Sequence, residues 1–258
     1  MTNTWILRGI IHRKKTEKRY DSDGLVLTKG ITLGLPFVKK QVSSENAIQL
    51  VSICPTQALV YENNKLNVYP ERCIRCDRCV EDNLSPIVMT NDQPSVRWSN
   101  PDNSVLLPHQ FRRSIHIRIV DAGDCGGCYN EVRQLNNPFY NMHRFGFFIT
   151  PTPRNADVLM VVGSGTRQMQ YALQATYEAM PTPKIVIAVG TCALSGNMWS
   201  KSLTGGTGIK NVIPVDVEVM GSPPTPLTII QSLFSITGRQ MPASIISSKT
   251  EPPEMKRD

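Results

Sequence analysis

From residue 115 onward the apolar positions fall into a regular order. An apolar-rich run over 115–120 predicts a strand, ended by Asp121-Ala-Gly-Asp-Cys125, with a helix expected from about Tyr129. A continuous apolar run over 157–162 reads as a buried strand and leads into Gly163-Ser-Gly-Thr166. Over 167–179, Met169, Ala172, Leu173, Thr176 and Tyr177 recur at helical spacing, and Pro181 and Pro183 mark the exit. Another buried-type strand over 184–189 runs into Gly190-Thr-Cys192. A later strand is expected over 215–219. A last helix is expected over 225–237, entered through Pro223-Pro224 and ended at Gly238. Strands alternating with helices predict an α/β domain built on a doubly wound parallel sheet. Ligands of such sheets bind beyond the C-terminal ends of the strands. The loops with Cys125, Cys128, Cys192 and the Gly-Ser-Pro-Pro at 221–224 all fall there.

The chain before residue 115 has a different texture. Short apolar runs over 58–61 and 65–69 predict a β-hairpin turning at Asn63-Asn64. The seven cysteines divide accordingly: Cys54, Cys73, Cys76 and Cys79, then Cys125, Cys128 and Cys192. The 258 residues, 40% of them apolar, suffice for two cores. The expected organisation is a basic N-terminal segment over 1–30 and an α+β cysteine module over 31–95. A polar, Pro-containing linker over 96–110, the α/β domain over 111–242 and a polar tail over 243–258 follow.

Cys73-Ile-Arg-Cys76-Asp-Arg-Cys79 with the remote Cys54-Pro55 is the ligand arrangement of bacterial-type ferredoxins. Two-residue gaps let successive sulfurs curl around one iron–sulfur cube while backbone N–H groups point at it. The module over 31–95 thus resembles a ferredoxin with one 4Fe–4S cluster. In a two-cluster ferredoxin a second triplet would fall at Ser44, Ala47 and Leu50, and a fourth cysteine near residues 83–85; none of these is a cysteine here. Both losses strip the same cluster and leave the other set complete. A zinc site is the alternative, although zinc more often uses paired C-x2-C motifs or adds histidine.

Four segments carry a second resemblance. They are Cys125-Gly-Gly-Cys128-Tyr-Asn-Glu131, Thr152-Pro-Arg-Asn-Ala-Asp157, Gly190-Thr-Cys192 and Gly221-Ser-Pro-Pro-Thr-Pro226, in this order and at these long spacings. They resemble the small, electron-transferring subunit of energy-converting, membrane-bound nickel–iron hydrogenases. That branch includes formate hydrogenlyase and is related to the terminal-cluster, 20 kDa subunit of NADH:quinone oxidoreductase (complex I). The resemblance implies a flavodoxin-like α/β domain and a second iron–sulfur cluster on Cys125, Cys128, Cys192 and the residue at 222. The chain then looks like a fusion of two neighbouring subunits. The family's last ligand is a cysteine in Gly-Cys-Pro-Pro, and here it is Ser222. Serine is a harder and less readily deprotonated ligand than thiolate. Three outcomes stay open: Ser222 ligates as an alkoxide, water or a partner side chain completes the site, or the cluster is absent or reduced to three irons. Inert core cysteines are the bland alternative. The resemblance also marks Glu131, to orient the cluster loop or assist proton movement, and Arg154, to pair with the cluster edge or a partner surface; a helix-end carboxylate and a surface salt bridge are the alternatives.

The implied function is relay of electrons to or from a large catalytic partner, hydrogenase large subunit-like or complex I 49 kDa-like, alongside membrane-embedded subunits. No catalytic acid, base or substrate pocket is identified in this chain. A structural or assembly subunit with a degenerate second site is the alternative, and a cytosolic zinc-binding interaction module is a third. The net charge of +7 at pH 7 lacks the aromatic-interleaved basic stripe of a nucleic-acid binder, so no nucleic acid is expected. Trp5, Ile6, Leu7, Ile10 and Ile11 beside the basic residues from Arg8 to Arg19 suit either an amphipathic segment on a membrane or partner surface, or a solvated tail. An odd cysteine count without a secretory signal suggests a cytoplasmic protein, peripheral on the inner face of the cell membrane. The glycine-rich stretches at 163–166 and 203–208 match no phosphate-binding motif, and the four histidines show no ligand spacing.

Overall fold

The computed structural model describes residues 34–40, 42–80, 85–90, 95–99, 107, 113–200 and 202–239. The N-terminal segment over 1–30, most of the stretch over 100–110 and the tail over 243–258 lie outside them. Contacts gather residues 33–238 into one compact unit.

Its largest element is a six-stranded sheet. The strands are β5 (Val96–Trp98), β6 (Ile115–Asp121), β7 (Phe147–Ile149), β8 (Val158–Val162), β9 (Ile185–Val189) and β10 (Val217–Val219). Their spatial order is β5-β10-β9-β8-β6-β7, and all neighbours are parallel except β5 against β10. β8 and β9 are buried at all five positions, which is why they read as unbroken apolar runs. Helices cover both faces. On one, Leu173 of α3 (Arg167–Glu178) joins Val120, Leu159, Val161, Val186 and Ala188 in a single cluster. On the other, Phe234 of α5 (Pro226–Thr237) meets Phe147 edge-on at 5.6 Å. Thr225 caps α5 by accepting the Thr228 N–H, and Gly238 ends it at φ 62. The chain order reverses between β6 and β8, so the crevice at their C-terminal ends is the switch point at which this kind of sheet binds ligands.

The polar stretch over 96–110, read above as a linker, supplies β5. Val96–Trp98 forms the antiparallel edge, with Arg97 opposite Glu218. Three residues carry too little alternation to register as a strand; the partner that fixes them lies about 120 residues away in sequence.

The first cysteines are held by β1 (Leu35–Val38), α1 (Ser44–Ile53), β2 (Leu59–Glu62), β3 (Lys65–Val68) and β4 (Ile87–Thr90). β1 and β4 pair antiparallel, as do β2 and β3. The β2–β3 turn lies at Asn63 and Asn64, both left-handed at φ 52 and 58, as a two-residue hairpin requires. Ser44, Ala47 and Leu50, the places where a second ligand triplet would stand, lie on α1, whose Ala47 is buried. Among the described residues no helix is long and apolar enough to cross a membrane.

Candidate metal centres

Cys54 closes α1, its N–H reaching the Val51 carbonyl, and Pro55 stops the helix. Its sulfur accepts the Ala58 N–H at 3.2 Å. Cys73 follows the turn Pro70–Arg72, and its sulfur accepts the Arg75 N–H at 3.4 Å. Three non-glycine residues around these thiols are left-handed: Gln57, Arg75 and Asp77, at φ 54, 58 and 63. Each such residue costs about 1 kcal/mol or more. That strain is tolerated where the loop must turn amides toward the sulfurs. The Ser85 hydroxyl donates to the Cys79 carbonyl at 2.6 Å and pins the far end of the loop.

The four thiols share one electrostatic neighbourhood. Burial pushes the Cys73 thiol up, and the charges of Cys54 and Cys76 add to it. Burial also lifts Cys79, to about 11, followed by the fields of Cys73, Cys76 and Cys54. Such thiols stay protonated at neutral pH unless a cation lies among them. All seven cysteines are free of disulfides.

The second group gathers at the switch point. Cys125 is exposed in the loop after β6. Cys128 is buried in the first turn of α2 (Gly127–Gln134), and Cys192 is buried in α4 (Thr191–Ser195). The helix start two residues before Tyr129 places Cys128 on the helix itself. Gly190 makes room for its sulfur: a Cβ there would stand 2.3 Å from Cys128 Sγ, and the backbone is left-handed at φ 89. Burial raises Cys128 well above the ordinary thiol range, and the charges of Asp124, Cys192, Cys125 and Glu131 raise it further. Cys192 is pushed up to about 11 by burial and by the fields of Cys125 and Asp124.

Ser222 is half-buried in the loop after β10. Its neighbour Gly221 accepts the Thr191 N–H at 2.9 Å, next to Cys192, so this loop borders the thiols. Glu131 is half-buried; burial raises its carboxyl, and its charge reaches Cys128 and Tyr140. Arg154 is exposed in the turn Pro153–Asn155 that enters β8, at the end opposite to the glycine loop at 163–165. The fold does not bring it to the thiols.

Two residues that sequence patterns did not single out stand inside these sites. One is Asp124, whose charge acts on Cys128 and Cys192. Its only sequence signal is adjacency to Cys125. The other is Arg75, between two cysteines of the first group, whose Nη2 donates to the Met220 carbonyl at 3.5 Å, two residues before Ser222. Nearby, the Ser195 hydroxyl of α4 donates to the Glu71 carbonyl at 3.1 Å. The two cysteine groups therefore sit on adjoining loops. Among the described residues no three His, Cys, Asp or Glu side chains are close enough to hold a single metal ion.

The C-terminal part of the chain is similar to known proteins. The profile of the NADH ubiquinone oxidoreductase 20 Kd subunit family matches residues 125–236, which leaves the first four cysteines outside it. An uncharacterised protein of Methanocaldococcus jannaschii is 42% identical over 132 residues, 51% of this chain and 88% of that one. The probable membrane-bound hydrogenase subunit mbhJ of Pyrococcus furiosus is 35% identical over 142 residues, 55% of this chain and 84% of that one. Formate hydrogenlyase subunit 7 of Escherichia coli is 34% identical over 153 residues, 59% of this chain and 58% of that one. The chain belongs to the NADH ubiquinone oxidoreductase 20 Kd subunit family.

Proposed function

We propose that this chain is an iron–sulfur electron-transfer subunit of a membrane-associated, hydrogenase-like or complex I-like oxidoreductase, relaying electrons to or from a large catalytic partner. The observation that carries the reading is the pairing of two thiol groups on adjoining loops, one at the switch point of the family's sheet and one on the module before it. Relatives named as subunits of a membrane-bound hydrogenase and of formate hydrogenlyase support the assembly. Its other members would be a hydrogenase large subunit-like or 49 kDa-like protein and membrane-embedded subunits, with this chain on the inner face of the membrane.

In this reading residues 31–95 are a ferredoxin-like module and residues 111–242 the family's α/β domain. The two antiparallel strand pairs and the single helix around the first cysteines support the module. Cys54, Cys73, Cys76 and Cys79 would hold one 4Fe–4S cluster, and Cys125, Cys128 and Cys192 a second, with the loop of Ser222 closing over it. Such a cluster, when bound, takes up and releases one electron. The donor sets suit it. Four thiols that feel one another's charge, on a triplet with two-residue gaps and a remote Cys-Pro, are the donor set such a cluster takes. The Ala58 and Arg75 amides offset charge on the sulfurs, and the buried Arg75 guanidinium adds a positive charge beside Cys73.

A redox titration followed by EPR on the anaerobically purified full chain tests this. Two reducible signals are expected. Cys76→Ala removes one and leaves the other; Cys192→Ala does the reverse. A chain without a reducible signal, or one signal lost in both variants, contradicts the reading.

A further inference from the structure

We propose that Asp124, and not Ser222, supplies the fourth protein ligand of the second iron–sulfur site, through one carboxylate oxygen. The inference rests on the second cluster proposed above and changes its ligand set to three sulfurs and one oxygen.

The first ground is the way the carboxylate is held. Its Oδ2 accepts the backbone N–H groups of Gly126, at 3.1 Å, and Tyr129, at 2.9 Å. Its Oδ1 is buried and has no hydrogen-bond partner among the described residues. A buried acceptor left unmade carries the full penalty of its lost hydration. No described residue replaces the water taken from this oxygen, which is the condition of a metal ligand before its metal arrives.

The second ground is the loop itself. Asp121 Oδ1 accepts the N–H groups of Gly123 and Asp124, at 2.9 and 2.8 Å. A Cβ on Gly163 would stand 2.6 Å from the Asp124 nitrogen, so the glycine loop after β8 packs directly on the Asp124 backbone. The side chain is thus pinned at its backbone and at one oxygen, beside Cys125 in sequence, and its other oxygen is left without a partner among the described residues.

The third ground is donor chemistry: a carboxylic acid is a far stronger acid than an alcohol, so a carboxylate offers iron an anionic oxygen that a serine hydroxyl provides only by becoming an alkoxide.

The test uses the full chain prepared anaerobically, with iron and acid-labile sulfide per chain and Mössbauer spectra as readouts. Wild-type protein should carry about eight irons, one of them with the signature of oxygen ligation. Ser222→Ala should change neither readout. Asp124→Asn, whose amide oxygen still caps α2, should lose at least one iron and the oxygen-ligated signature. Asp124→Cys should return the iron count to about eight with an all-sulfur spectrum. The first cluster's EPR signal serves as the folding control in each variant. Loss of iron in Ser222→Ala with retention in Asp124→Asn overturns the proposal, as does an unchanged spectrum in both. Wild-type protein with about four irons, and no further loss in Cys192→Ala, overturns the second cluster together with this ligand. Loss in Cys192→Ala without loss in Asp124→Asn overturns the ligand alone.

Discussion

Gly190→Ala is expected to empty the second site while leaving the first filled, lowering iron from about eight to about four per chain. The added Cβ would fall 2.3 Å from Cys128 Sγ and 3.4 Å from the Gly221 carbonyl oxygen, at a backbone φ of 89. The sulfur cannot retreat, because Cys128 is 3% exposed in the first turn of α2. Strain at φ 89 and ψ 158, a region essentially reserved for glycine, adds roughly 1–3 kcal/mol and overpacking roughly 1–3, so a loss of about 3 kcal/mol in urea denaturation of the apo chain should accompany the loss of iron. Gly127→Ala is the matched control. Its Cβ would meet Cys125 Sγ at 3.6 Å, an ordinary contact, and its site lies in a helix where alanine is favoured. Iron content near wild type is expected there. Equal losses in the two variants would show that the cradle around Cys128 has been misread.

The second large effect belongs to Glu218. Its side chain is 2% exposed, on the buried strand β10, yet ionised by company. Arg97 donates through Nε and Nη2, at 3.0 and 2.6 Å, Ser99 donates at 3.1 Å, and Lys210 pairs with the other oxygen. Burial pulls its carboxyl up and the two cations pull it down further, so the net direction is downward. A depressed carboxyl contributes stability above the unfolded value near 4.5, and that contribution is lost as the pH falls through the folded value. In the double variant Arg97→Ala, Lys210→Ala the Ser99 hydroxyl is the one donor left of these three against burial, the largest cause, and the sign reverses. The carboxyl then titrates above its unfolded value, and stability is lost as the pH rises through the unfolded one. A buried charge stripped of its partners costs about 3–5 kcal/mol. The lower end is expected here, because both cations are about half exposed, 47% and 46%, and water can reach their places. Urea denaturation should show the variant about 3 kcal/mol less stable at pH 7 and regaining ground toward pH 4, where wild type declines. Parallel curves for the two proteins would remove Glu218 from the account of what holds β5 to the sheet.

Much of the α/β domain was legible in the sequence because its signals are local. β8 and β9 are buried on both faces, so all five residues of each are apolar. α3 shows buried Leu173 and half-buried Met169, Thr176 and Tyr177 at helical spacing, although Ala172 of the same pattern is exposed, and α5 carries its cap and stop in the chain. The elements that escaped depend on partners far away in sequence. β1 and β4 are four-residue strands joined only to each other across about 50 residues, and β5 exists because β10 offers an edge. α1 was hidden for another reason: Ser44, Ala47 and Leu50 stand three apart, a spacing that a ligand triplet and a helix face share. The cysteines were legible because C-x2-C spacing is itself the chemistry. Asp124 was not, since a carboxylate beside a cysteine is common on surfaces. Only the fold shows that one of its oxygens is buried without a partner among the described residues.

The measurement that bears most directly on the whole account is metal and sulfide content of the full chain, purified without oxygen. About eight irons with a matching amount of acid-labile sulfide, and no stoichiometric zinc, is the result this account predicts. One zinc per chain with no sulfide would contradict it.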